Sequence, residues 1–194
     1  ETKKNKIIEI MWKNYGKIFS EYMFIKNFRT DSKFSKKIVV ENQEELEKIK
    51  LQNKPVIFIS GHFSNFELMA MHLEKSNINL AAIYRPLNNI FLNPIMERIR
   101  KKYICKKQIK KGISGTRDLL EYFKSGTSIA LMIDQRVSEG IKSKFFGQEA
   151  LTTTIPAQFV KKFNCKIVPI HIKRKKDNNF RLKILKPLSF SNND

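Results

Sequence analysis

Apolar residues along the chain follow two rhythms. Over 6–26, Ile7, Met11, Tyr15, Ile18, Tyr22 and Ile25 recur at three- and four-residue steps, the stripe of an amphipathic helix. Lys13 and Lys17 lie off that stripe. Such a helix either packs its stripe into a core, the default, or lies on a membrane surface with its lysines toward headgroups. Further on, short apolar runs alternate with helical patterns. Strands are expected at 37–40, 55–60, 79–84, 128–133, 166–173 and 180–185. Helices are expected at 42–50, 64–75, 90–102, 114–124 and near 155–163. The runs "PVIFIS" and "SIALMID" are continuously apolar, as in strands covered on both faces. Strands separated by helices need crossover connections. The expected fold is therefore α/β, with a largely parallel or mixed central sheet and helices on both faces.

A chain of 194 residues, 41% hydrophobic, suffices for one domain over 1–194 with a sizeable core. No stretch approaches the ~18–20 uncharged apolar residues of a membrane span, and no signal-peptide pattern is present. Cys105 and Cys165 are far apart and lack metal-ligand spacing, so both read as buried apolar residues in a reducing compartment. The net charge of +20 favours anionic partners: nucleic acid, an anionic membrane, phosphorylated lipid or an acidic protein. The segment 101–111, "KKYICKKQIKK", is a solvated face or a docking patch for an acidic partner.

Three polar residues fall just beyond predicted strands: His62, Arg85 and Asp134. In open α/β sheets, sites form at those carboxyl ends. Around His62 the sequence reads "GHFSNFELMAMHL". One explanation is structural: Ser64 as helix N-cap and Glu67 three residues on make a capping box. The other is chemical. A histidine oriented by a nearby carboxylate keeps one tautomer and can remove a proton from an alcohol. On that reading Glu67 orients His62. Arg85 would bind an oxyanion or a phosphate. Asp134 either serves the site or caps a turn. His72 points away from Glu67 on the same helix and His171 lies within a strand, so neither completes a pair.

Four segments in order, "GHFSNFE", "YRPLNN", "DQ" at 134–135 and "FFGQEALTTT" at 145–154, resemble the late acyltransferases of lipid A biosynthesis. These lauroyl/myristoyl transferases belong to the glycerolipid acyltransferase superfamily, marked by His-x4-Asp/Glu. The likeness runs from "MWKNYG" to "IVPI", and Ser64 and Phe66 stand where the family usually has Gly and Trp. It implies a glycerolipid-acyltransferase-like fold and a chain truncated at both ends, without the family's N-terminal membrane anchor. The implied reaction moves a fatty acyl group from acyl carrier protein, or alternatively acyl-CoA, to a hydroxyl of a phosphorylated lipid A precursor. It would take place at the cytoplasmic face of the bacterial inner membrane, with no bound cofactor or metal. His62 and Glu67 would be catalytic. Arg85, Asp134, Gln135, Asn65, Phe145 and Phe146 would bind substrate, the two phenylalanines by shaping the lipid pocket. Expected partners are the carrier protein, the glycolipid acceptor and the membrane surface, with no nucleic acid.

The alternatives are a related acyltransferase acting on another glycolipid or phospholipid and, from another class, a basic nucleic-acid-binding module. The second has the charge in its favour but lacks a zinc motif, an RNA-recognition aromatic signature and a helix-turn-helix pattern.

Overall fold

A computed structural model describes residues 2–190. The chain opens with α1 (Lys3–Tyr22), α2 (Ile25–Thr30) and α3 (Ser32–Ser35), then β1 (Ile38–Glu41) and α4 (Gln43–Gln52). β2 (Ile57–Ser60), α5 (Glu67–Lys75), β3 (Leu80–Tyr84) and α6 (Leu92–Ile99) follow, α6 running into a π-helical turn at Arg100–Ile104. Next come β4 (Lys107–Lys110), α7 (Ile113–Lys124), β5 (Ser128–Met132), β6 (Ile141–Phe145) and β7 (Gln148–Thr152). α8 (Ile155–Phe163), β8 (Ile167–Arg174) and β9 (Phe180–Ile184) complete the fold.

Seven strands form one sheet in the order β1-β9-β8-β2-β5-β3-β4. Every neighbouring pair is parallel except β8 with β9. The mixed, mostly parallel sheet expected from the sequence is therefore present. Successive residues of β2 face opposite cores. Phe58 packs with Leu68, Met71, Val168 and Ile170, on the side of α2 and α5. Ile57 packs with Leu119, Phe123, Ile129 and Phe159, on the side of α7 and α8. Each fully buried leucine such as Leu68 or Leu73 contributes about 2 kcal/mol of hydrophobic stabilisation.

Several elements depart from the sequence pattern. The helix expected over 6–26 breaks at residues 23–24 into α1 and α2. Its stripe divides with it: Ile18, Tyr22 and Ile25 are buried, whereas Ile7, Met11 and Tyr15 are exposed together with Trp12 and Phe19. The core-packing reading thus holds for the C-terminal part of the stripe, and the N-terminal part faces outward. β4 was not anticipated, because only Ile109 of its "KQIK" is buried and no apolar run marks it. The β6–β7 hairpin was not anticipated either, since β6 is exposed throughout. Phe146 and Gly147 at its turn both have positive φ, 50° and 78°, as a two-residue type I′ connection requires.

The capping box does not form. α5 begins at Glu67, and Phe66 at its N-cap makes no side-chain cap bond. Ser64 has φ 47°, in the left-handed region rather than the extended conformation of an N-cap. That conformation costs on the order of 1 kcal/mol and is held from two sides. Ser64 Oγ accepts the Arg174 amide at 2.9 Å, and its carbonyl accepts Asn14 Nδ2 at 3.2 Å.

Candidate active site

Sheet register builds the site. β2 and β5 are parallel neighbours with Ser60 opposite Met132, and the Ile133 amide continues the ladder by donating to Ser60 O at 2.9 Å. Two residues beyond the paired positions, His62 and Asp134 therefore emerge side by side at the carboxyl ends of two central strands. A separation of 72 in sequence becomes direct contact.

Asp134 grips His62 twice. Its Oδ1 lies 2.8 Å from His62 Nδ1, and its Oδ2 accepts the His62 backbone amide at 2.8 Å. A carboxylate only accepts, so Nδ1 carries the proton and Nε2 presents its lone pair. The ring is half-buried and meets Phe66 edge-on, with centroids 4.7 Å apart. Gly61 makes room for this grip: a Cβ there would lie 3.1 Å from Asp134 Oδ2 and 2.9 Å from the Phe63 ring.

Glu67 is engaged elsewhere, contrary to the expectation that it orients His62. Its Oε1 accepts from Arg100 Nε at 2.9 Å, from Arg100 Nη2 at 2.7 Å and from the Tyr22 hydroxyl. All three side chains are largely buried. Burial, then the adjacent Glu67 carboxylate, push the Tyr22 phenol well above its usual pKa, so it remains a donor. The reason for the difference is directional. Tyr22 from α1 and Arg100 from the π-turn meet Glu67 inside the core that carries Ile18, Leu68 and Ile104, whereas His62 sits on the open end of the sheet.

Asn65 was expected to bind substrate. It is fully buried, and its Nδ2 donates to Glu21 Oε2 at 2.8 Å. Glu21 in turn pairs with Arg174 at 3.0 Å, and Arg174 Nη1 donates to Asn14 Oδ1 at 2.6 Å. α1 is thereby tied to the His62 loop and to the end of β8. Sequence reasoning missed Asn14, Glu21, Tyr22, Arg100 and Arg174. The available signal was modest: Glu21 and Tyr22 place an acid and a phenol at the buried end of an otherwise exposed stripe.

Arg85 follows β3, the other neighbour of β5, and is exposed with no ion pair among the described residues. Gln135 is exposed beside Asp134. Phe145 and Phe146 meet edge-to-face at the hairpin tip, centroids 4.7 Å apart, with Phe146 92% exposed. They form an apolar projection rather than an enclosed pocket. Burial raises the thiol pKa of Cys105 to about 12 and of Cys165 to about 11, so neither is poised as a thiolate. His72 is held down at about 4 by burial and by Lys75, and its Nε2 donates to Gln43 Oε1 at 3.0 Å. Among the described residues no cluster of three or more His, Cys, Asp and Glu could hold a metal ion. No helix among them is long and apolar enough to cross a membrane.

The arrangement suits abstraction of a proton by His62 Nε2 from a group approaching the open end of the sheet. A family model described as bacterial lipid A biosynthesis acyltransferase matches residues 1–194, the whole chain. No curated protein matches it.

Proposed function

The chain belongs to the bacterial lipid A biosynthesis acyltransferase family, and we propose that it moves a fatty acyl group from acyl carrier protein to a hydroxyl of a phosphorylated lipid A precursor. The observation that carries this reading is the oriented imidazole of His62 at the carboxyl ends of β2 and β5, held by Asp134 in a chain of this family. His62 Nε2 takes the proton of the acceptor hydroxyl as its oxygen attacks the thioester carbonyl carbon. The carbonyl π pair moves onto oxygen, then returns as the carbon–sulfur bond breaks. The departing thiolate takes the proton from the imidazolium, so His62 ends the cycle as it began. No protein nucleophile, metal or bound cofactor takes part in the proposed step.

Arg85, exposed beyond β3, is the proposed cationic group for the oxyanion or for an acceptor phosphate. The exposed face of α1, with Trp12 and Phe19 among lysines, supports a surface that rests on an anionic membrane. Phe145 and Phe146 at the hairpin tip are proposed to meet lipid there. An acyl carrier donor places the reaction at the cytoplasmic face of the inner membrane.

The test is transfer from acyl carrier proteins of graded chain length to a lipid A precursor, using the full-length protein. The expected result is acylated lipid with one preferred chain length, lost in His62→Ala with the fold retained. Absence of transfer from every carrier-bound donor, with transfer from acyl-CoA or to another lipid, would replace the proposed donor or acceptor. Activity that survives His62→Ala would remove the proposed base.

A further inference from the structure

We infer that Asp134 is the positioning residue for His62, and that Glu67 acts on a different target, the buried pair Tyr22 and Arg100. This rests on the acyl-transfer reading above and deepens it. An imidazole has two nitrogens. Nδ1 is 2.8 Å from Asp134 Oδ1, and Nε2 must face the reacting hydroxyl, so no nitrogen remains for Glu67 to orient. Glu67 meanwhile spends Oε1 on three donors inside the core.

Asp134 has the features of an orienting carboxylate. Both its oxygens are on His62, one at the ring and one at the main chain, which holds the carboxylate within reach of Nδ1–H. Gly61 leaves the space that this approach occupies. The contact joins the ends of two adjacent central strands rather than two mobile loops, so its geometry is inherited from the β2–β5 register. Glu67 instead joins three elements: α1 through Tyr22, α5 on which it sits, and the π-turn through Arg100. It holds the scaffold under the His62 loop without touching the ring.

Asp134→Asn separates these roles. The amide oxygen can still accept the His62 main-chain N–H, while the amide nitrogen turned toward Nδ1 can only donate. The ring proton is then driven to Nε2, the wrong tautomer for a base.

The experiment uses the full chain with 15N-labelled histidine, the three histidine signals being assigned through His62→Gln, His72→Gln and His171→Gln. Imidazole 15N spectra of the neutral ring are expected to show the Nδ1–H tautomer for His62 in the native protein and in Glu67→Gln, and the Nε2–H tautomer in Asp134→Asn. The accompanying kinetics should show kcat of Asp134→Asn down by roughly 100-fold or more, at a donor KM within about twofold of native. If Glu67→Gln does not fold, Tyr22→Phe, which removes one donor to Glu67, takes its place with the same expectation. A native Nε2–H tautomer overturns the inference. So does an Asp134→Asn protein with native tautomer and native kcat, or a tautomer change in Glu67→Gln or Tyr22→Phe. If the native protein transfers no acyl group, the acyl-transfer reading fails by itself, and the spectra still decide which carboxylate positions His62.

Discussion

Arg100 holds Glu67 through two donors on one oxygen, Nε at 2.9 Å and Nη2 at 2.7 Å from Oε1. The glutamate of the His-x4-Glu motif is thus the anion of a buried ion pair. Removing one partner of such a pair leaves the other charge desolvated and uncompensated, which costs about 3–5 kcal/mol. Glu67→Ala and Arg100→Ala should each lower unfolding free energy by that order in urea titration. The double variant should cost clearly less than the sum. Simple additivity would show that the pair carries no coupling.

Gly61→Ala should act on the site more than on the fold. The added methyl would press on Asp134 Oδ2 and the Phe63 ring, and both lie at the open end of the sheet. Displacing the carboxylate by a few tenths of an ångström should lower kcat by roughly tenfold, with a melting temperature close to native. An unchanged kcat would mean that the Asp134 grip tolerates displacement.

His72 supplies a pH-dependent element away from the site. Its folded pKa of about 4 lies below the ordinary value of 6.5, because of burial and then Lys75. Between those values the unfolded chain binds the extra proton, so stability falls as pH drops from about 6.5 to about 4 and rises in the other direction. The effect is at most about 3–4 kcal/mol. His72→Gln should flatten this part of the stability profile measured by denaturant titration. An equally steep profile in the variant would assign the acid sensitivity to other groups.

The basic segment divides on inspection. Lys107 Nζ donates to Asn79 Oδ1 at 2.7 Å and to Thr127 Oγ1 at 3.0 Å, so it is engaged within the fold. Lys101 and Lys102 are exposed and line an open hollow with Pro94, Glu97 and Arg98. Reversing the charge of Lys101 and Lys102 should raise KM for acyl carrier protein severalfold and weaken its salt dependence, with kcat nearly native. Unchanged KM and salt response would leave these lysines as a solvated face. A collapse of kcat at native KM would place them with the acceptor.

Much of the fold was legible because central parallel strands announce themselves. "PVIFIS" and "SIALMID" are unbroken apolar runs, and they became β2 and β5. Their ends carry His62 and Asp134, so the placement of the candidate site could be read from topology. The partner of His62 did not follow. Local spacing from the end of β2 to the start of α5 pointed to Glu67, five residues away, while the register of β2 and β5 supplied Asp134 from 72 residues away. Sequence shows local spacing, whereas strand order and register are set by packing of the whole sheet. The same limit hid Tyr22 and Arg100, and it hid β4 and the hairpin, whose strands have too few buried positions to leave a period.

Direct attack by the acceptor is the central claim, and one rapid-mixing measurement tests it. The full-length protein is mixed with acyl carrier donor, first alone and then with lipid A precursor, while released carrier thiol and intact protein mass are followed. The account predicts no thiol burst and no added mass without acceptor, then thiol release matching acylated lipid once acceptor is present. A stoichiometric burst with an acyl adduct on the protein before acceptor is added would contradict it.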